Sequence, residues 1–293
     1  METFYLENEH LRVKIHQKGA ELAGIQSKVS DLEYMWEADA RYWGRHSCIL
    51  FPIVGKVYGD TYQIDQQNYP LTQHGFARDQ SFELYAQTET SISLALESNA
   101  STLAIYPFPF RLMATYQLAE NRLSITYQVE NTATKTIYFS IGAHPAFKCP
   151  LFPGEKRSDY SLLFNKKEKP LRHIIENGFF TGKTETVALP NQHLRITDHL
   201  FETDALVFKQ LQSDQVSLVN AAGEKVFTFD FSGFPYLGIW SKNEASPFVC
   251  IEPWFGLADK VGGNKDFRQK EGVLSLEKKT SFQCTHSVIF HLL

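Results

Sequence analysis

The chain has 293 residues, of which 43% are hydrophobic and 21% charged, ordinary globular usage that argues against disorder and provides for a sizeable core. Its formal charge of -4 comes from 29 basic and 33 acidic residues without a basic block, so no nucleic-acid partner is expected. No apolar run is long enough to span a bilayer, and the start, Met1-Glu2-Thr3-Phe4-Tyr5-Leu6-Glu7, lacks a basic region followed by an apolar core. The expectation is a soluble, cytoplasmic protein with no membrane partner.

Residues 2–27 alternate as strands, with Leu11, Val13 and Ile15 on one face and Gly19 and Gly24 at turns or close backbone approaches. The stretch 39–44 predicts one helical turn, capped by Asp39 and ended by Gly44. In Leu50-Phe51-Pro52-Ile53-Val54-Gly55-Lys56, Gly55 permits a sharp turn and Lys56 then projects a cation. Gln73-His74-Gly75-Phe76-Ala77-Arg78 puts a histidine beside a glycine at a strand or turn edge, with an arginine four residues on. Arg78 either reaches a ligand or bridges to Asp79 or Glu83 on the surface.

The period-two signal is clearest over 82–130: Ile92, Leu94 and Leu96, then Leu112, Ala114, Tyr116 and Leu118, then Leu123, Ile125, Tyr127 and Val129. Glu120-Asn121 separates the last two runs as a hairpin turn. Tyr106-Pro107-Phe108-Pro109-Phe110 reads as a loop or edge crossing, because its prolines would interrupt a ladder.

Another alternating run, 135–141, stops at Gly142-Ala143-His144-Pro145-Ala146-Phe147. Pro145 confines His144 to extended backbone and removes the next donor. A histidine at a strand end can be aimed into a sheet's concave face, where it exchanges a proton near neutral pH. Its other reading is a structural histidine whose nitrogens satisfy neighbouring carbonyls. The stretch 149–200 is irregular, with four prolines, and reads as short strands joined by long loops; its His173, His193 and His199 carry no supporting motif. Asp204 precedes the strand pattern Ala205-Leu206-Val207-Phe208 and is either a rim ligand or a turn initiator.

Strand patterns at 226–231, 236–241, 249–252 and 282–290 close the chain. Val249-Cys250-Ile251-Glu252-Pro253-Trp254-Phe255-Gly256 places a carboxylate at the end of an apolar run, and a buried glutamate is costly unless paired. Trp240 and Trp254 flank it in sequence, as an apolar platform or as core. Cys48, Cys149, Cys250 and Cys284 lie far apart without CxxC spacing, which favours reduced thiols over zinc or a disulfide framework. With no linker, fixed-period repeat or low-complexity segment, one domain over residues 1–293 is expected. About twenty short strands and few helical segments argue for an all-β sandwich or barrel. His74, His144 and Glu252 can converge as polariser, acid and base.

Taken in order, LFPIVGK, HGFAR, GAHPAF, DALVF, GFPYLGIW and CIEPW resemble the aldose 1-epimerase (galactose mutarotase) family, most closely its LacX-type branch, over essentially the whole chain. The resemblance implies a large, curved antiparallel β-sandwich, the galactose mutarotase-like supersandwich with few short helices, whose concave face forms a sugar groove. It implies Glu252 as base, His144 as acid and His74 as the group orienting the ring oxygen. It also implies Asp204 as a ligand to sugar hydroxyls, Arg78 or Lys56 holding others, and Trp240 beside them. In galactose mutarotases an arginine stands near the position of Lys56, and lysine cannot reproduce its two-pronged contact.

The expected activity is interconversion of hexose anomers, of galactose or glucose, free or phosphorylated, by a monomer or homodimer, with no metal or organic cofactor required. Three rivals share features with it. A glycosidase would use Glu252 and Asp204 but leave both histidines without a role. A hexose-6-phosphate mutarotase would clamp phosphate with Lys56 and Arg78. A non-catalytic carbohydrate-binding protein would need no matched acid and base.

Overall fold

Alternation of the kind read at 82–130 closes into two large antiparallel sheets in the computed structural model, which describes residues 2–291. The nine-stranded sheet runs, in spatial order, His193–Arg195, Ser161–Phe164, Gln215–Val219, Lys225–Asp230, Ser281–Phe290, Arg122–Asn131, Phe110–Ala119, Ser91–Glu97 and Glu83–Gln87. Glu120 and Asn121 form its tightest visible hairpin, with Ala119 opposite Arg122. The seven-stranded sheet runs Phe179–Thr186, Leu171–Glu176, Leu206–Lys209, Tyr236–Trp240, Phe248–Phe255, Ile141–Lys148 and Ser47–Leu50. A three-stranded sheet of Thr3–Glu7, Leu11–His16 and Glu21–Ser27 adds Leu11, Val13 and Ile15 to the common core.

Each strand of the seven-stranded sheet sends alternate residues to opposite faces. Val249, Ile251, Leu237, Ile239, Leu206 and Phe208 enter the main core against the nine-stranded sheet. Phe147 meets Phe227 at 4.4 Å and Phe208 meets Phe164 at 6.2 Å across that interface. The intervening residues Cys250, Glu252 and Trp254 are buried on the other face. The sheet therefore has one face glued to the core and one that carries the polar side chains.

Two expectations need correcting. His144 and Glu252 stand inside the strands Ile141–Lys148 and Phe248–Phe255, not at strand ends. Proline is tolerated there because the ladder between these two strands lapses: pairs are made by Gly142 with Trp254 and by Ala146 with Cys250, and none by Ala143, His144 or Pro145. The stretch 39–44 makes the expected single turn, Tyr42 and Trp43 both donating to the Asp39 carbonyl and the Arg41 amide to Asp39 Oδ1 as its cap. Ala100–Ile105 is a short helix inside the region read as strands, nucleated by Asn99, whose side chain accepts from the Ser101 and Thr102 amides.

Candidate active site

Register sets the floor of the site. Glu252 lies opposite Gly238, and the pairs flanking the lapse place His144 opposite Glu252 on its other side. His144 Nε2 stands 3.2 Å from Glu252 Oε2, with His144 8% and Glu252 1% exposed. At Gly238 a Cβ would come within 2.4 Å of the Trp254 indole, so glycine lets that ring lie across the sheet beside Glu252. The Trp43 ring stacks on His144 at 4.6 Å, and Trp240 meets it edge-on at 5.5 Å. Together the two indoles fix the imidazole plane.

His74 arrives from a turn. Gly75 has φ of +71° and packs so closely on the Phe51 carbonyl that a Cβ would stand 2.2 Å from its oxygen. Phe76 and Ala77 donate to that carbonyl, and Arg78 Nη2 closes the turn on the Gln73 carbonyl at 2.7 Å. The Gly55 amide donates to His74 Nδ1 at 3.1 Å. A neutral His74 that accepts there carries its proton on Nε2, and the Gln73 side-chain amide 3.2 Å away then faces it with its oxygen. The His74 and His144 rings meet edge to face at 5.8 Å.

Burial dominates the electrostatics. It holds the Glu252 carboxyl well above the usual carboxylate range, and the nearby Asp204 charge adds to that. It pushes His144 down to about 3, with the Arg78 and Arg45 charges contributing, and it lowers His74 well below its ordinary value. Burial thus favours the arrangement with both groups uncharged, Glu252 protonated and His144 neutral. Donor atoms of His144, Cys250 and Glu252 lie within 4.8 Å of one another, a spacing open to a metal ion. Burial holds the Cys250 thiol beside the pair well above its ordinary pKa, and hence protonated.

A cleft of about 510 Å³ opens above this floor. His74, Arg78, Asp204 and Trp240 line it with the pair, as does Trp254. Asp204, exposed at the rim with φ of +74°, accepts from the Ala205 amide through Oδ1 at 2.8 Å. Arg78 also stands 3.8 Å from Asp79, the surface contact named in one of its two sequence readings. Lys56 is not in the cleft wall: its stem packs over Gly178 and its ammonium lies 5.8 Å from the Phe179 ring. Lining residues that sequence reasoning passed over are Trp43, Gln73 and Lys242. The Asp39 cap was the available signal for Trp43, since a turn so fixed must aim the tryptophan that ends it.

The description "Aldose 1-epimerase" is that of the family model matching residues 2–266. Protein LacX, chromosomal, of Lactococcus lactis subsp. lactis is 37% identical over 97% of this chain and 99% of its own length. Two solved structures share the fold closely. A galactose mutarotase related enzyme from Lactobacillus acidophilus superposes with a TM-score of 0.94 at 32% identity, covering 99% of this chain and 97% of that one. A galactose mutarotase-like protein from Lactobacillus casei ATCC 334 gives 0.92 at 32% identity, covering 99% and 100%. On the match across the chain and on these relatives, the chain belongs to the aldose 1-epimerase family, isomerases that act on carbohydrates.

Proposed function

We propose that this protein is an aldose 1-epimerase that interconverts the α and β anomers of a hexose, using Glu252 as base and His144 as acid. The observation that carries this reading is the facing pair itself, a carboxylate and an imidazole 3.2 Å apart on the floor of a cleft.

Mutarotation needs one proton removed from the C1 hydroxyl and one delivered to the ring oxygen. Glu252 with His144 holds a single exchangeable proton in two arrangements, carboxylate with imidazolium or carboxylic acid with neutral imidazole. In the first, Glu252 takes the C1 hydroxyl proton as the C1 to ring-oxygen bond breaks, and His144 delivers its proton to the departing oxygen. The second arrangement then faces the open aldehyde. After half a turn about the C1–C2 bond the transfers reverse and the other anomer closes. Burial favours the uncharged arrangement, which is the one that accompanies the intermediate. His74 Nε2–H donates toward the ring oxygen, and Asp204 and Arg78 hold remaining hydroxyls.

Polarimetry on freshly dissolved α-D-galactose and α-D-glucose tests this. Acceleration by the wild type that is lost in folded Glu252→Gln and His144→Asn is expected; no acceleration by folded protein would overturn it. Lys242, which lines the cleft and has no ion-pair partner among the described residues, supports a second reading with a phosphorylated hexose. Magnetisation-exchange NMR on glucose 6-phosphate and galactose 6-phosphate separates the two: a Lys242→Ala variant that loses only the phosphorylated substrates favours the second.

A further inference from the structure

Arg172 is buried, 6% exposed, yet its guanidinium is not used mainly as an ion-pair partner. It sits on the strand Leu171–Glu176 and pairs through Nη1 with Glu185, its cross-strand neighbour, at 3.1 Å. Glu185 is half exposed, which makes that contact weak. Nη2 is directed elsewhere. It donates to the carbonyls of Thr203 at 3.0 Å and Asp204 at 2.9 Å, and lies 3.5 Å from that of Ala205.

Three successive carbonyls converging on one point repel unless a cation stands there. The chain makes this bend directly after the short helical turn Asp198–Phe201, and it does so with Asp204 in the left-handed region, φ +74°. The bend has a consequence for the cleft. It places Asp204 in the cleft wall and lets Ala205 N–H hold Oδ1, while Oδ2 has no partner among the described residues. Arg172 itself does not line the cleft.

We propose that Arg172 is a positioning residue for sugar binding: its fork holds the turn at 203–205 in the bend that aims the free Asp204 oxygen at the substrate. The proposal rests on the reading that Asp204 binds sugar hydroxyls. Lysine cannot take over the role, because a point charge cannot serve Glu185 and two carbonyls at once from one plane. Glu185→Gln should have little effect, since the carbonyl contacts remain.

The test measures KM and kcat by polarimetry on whichever of α-D-glucose and α-D-galactose the wild type accelerates more, well below each variant's melting temperature. Arg172→Lys, Asp204→Asn and the double variant are compared, with Arg172→Met as a second probe. Expected is a rise in KM of about tenfold for Arg172→Lys and for Asp204→Asn, with kcat within about twofold. The double variant should be no worse than Asp204→Asn alone, because Arg172 acts only through Asp204. Glu185→Gln should stay within about twofold of wild type.

The outcomes separate the two claims. A raised KM in Asp204→Asn with an unchanged KM in both Arg172 variants overturns the positioning role alone. Additive losses in the double variant do the same, showing that Arg172 acts by another route. An unchanged KM in Asp204→Asn overturns the reading of Asp204 and the proposal with it. A lowered melting temperature with KM unchanged assigns Arg172 to stability only and also overturns the proposal.

Discussion

Two buried histidines occupy the two sides of the sandwich's architecture, and burial pushes both down to about 3. His144 faces Glu252 on the open side of the seven-stranded sheet. His286 stands on the strand Ser281–Phe290 and faces the core between the sheets, as do Cys284 and Val288 two residues either side. Its ring stacks on Phe229 at 5.4 Å, lies near Tyr127 and Phe234, and neither nitrogen has a hydrogen-bond partner. The same desolvation therefore has two uses. Beside a carboxylate and a cleft it favours the arrangement with both groups uncharged; among aromatic rings it only makes charging expensive. A lowered pKa alone does not mark a catalytic residue.

The sharpest way to break this comparison is activity. Glu252→Gln and His144→Asn should each lower kcat by about two to four orders of magnitude, measured by polarimetry with melting curves as the folding control. His286→Leu should leave kcat within about twofold of wild type, since no proton path leads from it to the cleft. Substantial loss in His286→Leu would show that burial, not the carboxylate partner, is what matters.

Stability separates the two sites in the other direction. His286 takes up a proton in the unfolded chain below its ordinary pKa near 6.5 but not in the fold until about 3. Its folded pKa is depressed, so it costs stability progressively as pH falls from 6.5 toward 3, at about 1.4 kcal/mol per pH unit, and costs nothing above 6.5. His286→Leu should therefore be about 2 kcal/mol more stable at pH 5 than its effect at pH 7.5 would indicate, in urea titrations. An equal effect at both pH values would mean that His286 is not neutral in the fold.

How much of this was legible in the sequence follows from what each feature depends on. The strands were readable because burial on one face demands alternation, and Arg122–Asn131 shows it directly, with Leu123, Ile125, Tyr127 and Val129 buried between more exposed neighbours. His144 and Glu252 were readable as candidates because a proline beside a polar residue in an apolar run is unusual. Their position inside the strands was not, because it depends on the lapse in the ladder between them, which only the paired strand reveals. Trp43 and Arg172 were missed for a common reason: each reaches its target across a long sequence separation, Trp43 to His144 and Arg172 to the carbonyls at 203–205. Lys56 was read toward the ligand by resemblance and instead lies over Phe179, because its fate is decided by Gly178, on a turn far along the chain.

A smaller effect tests whether the floor really shares one proton. With ordinary values, a carboxylate near 4.5 and an imidazole near 6.5 would confine the active form to a narrow bell. Here the folded Glu252 value is raised, so its loss of the pair's proton and the alkaline fall in rate come above 4.5. The folded His144 value is lowered, so gain of a second proton and the acid fall come at about 3. Accordingly kcat/KM should not fall as the pH is lowered from 7 to 5. An acid-side fall with its inflection near 6.5 would show His144 titrating as an ordinary imidazole and would dissolve the paired reading.

The smallest expected effect lies just outside the cleft, at Lys56. Its methylenes cover Gly178, whose own Cβ position is 2.9 Å from Lys56 Cδ, and its ammonium sits over the Phe179 ring at 5.8 Å. Nothing in that geometry directs the charge at a sugar on the floor. Lys56→Ala should thus lose a cation–π contact of about 0.5–1 kcal/mol in stability while leaving KM within about twofold. Arg78→Ala makes the paired measurement: it removes a guanidinium that lines the cleft, and KM should rise by several-fold more than in Lys56→Ala. If Lys56→Ala raised KM as much as Arg78→Ala, the lysine would swing into the occupied cleft. The boundary drawn between residues that face the substrate and those that only support the fold would then have to move outward by one turn.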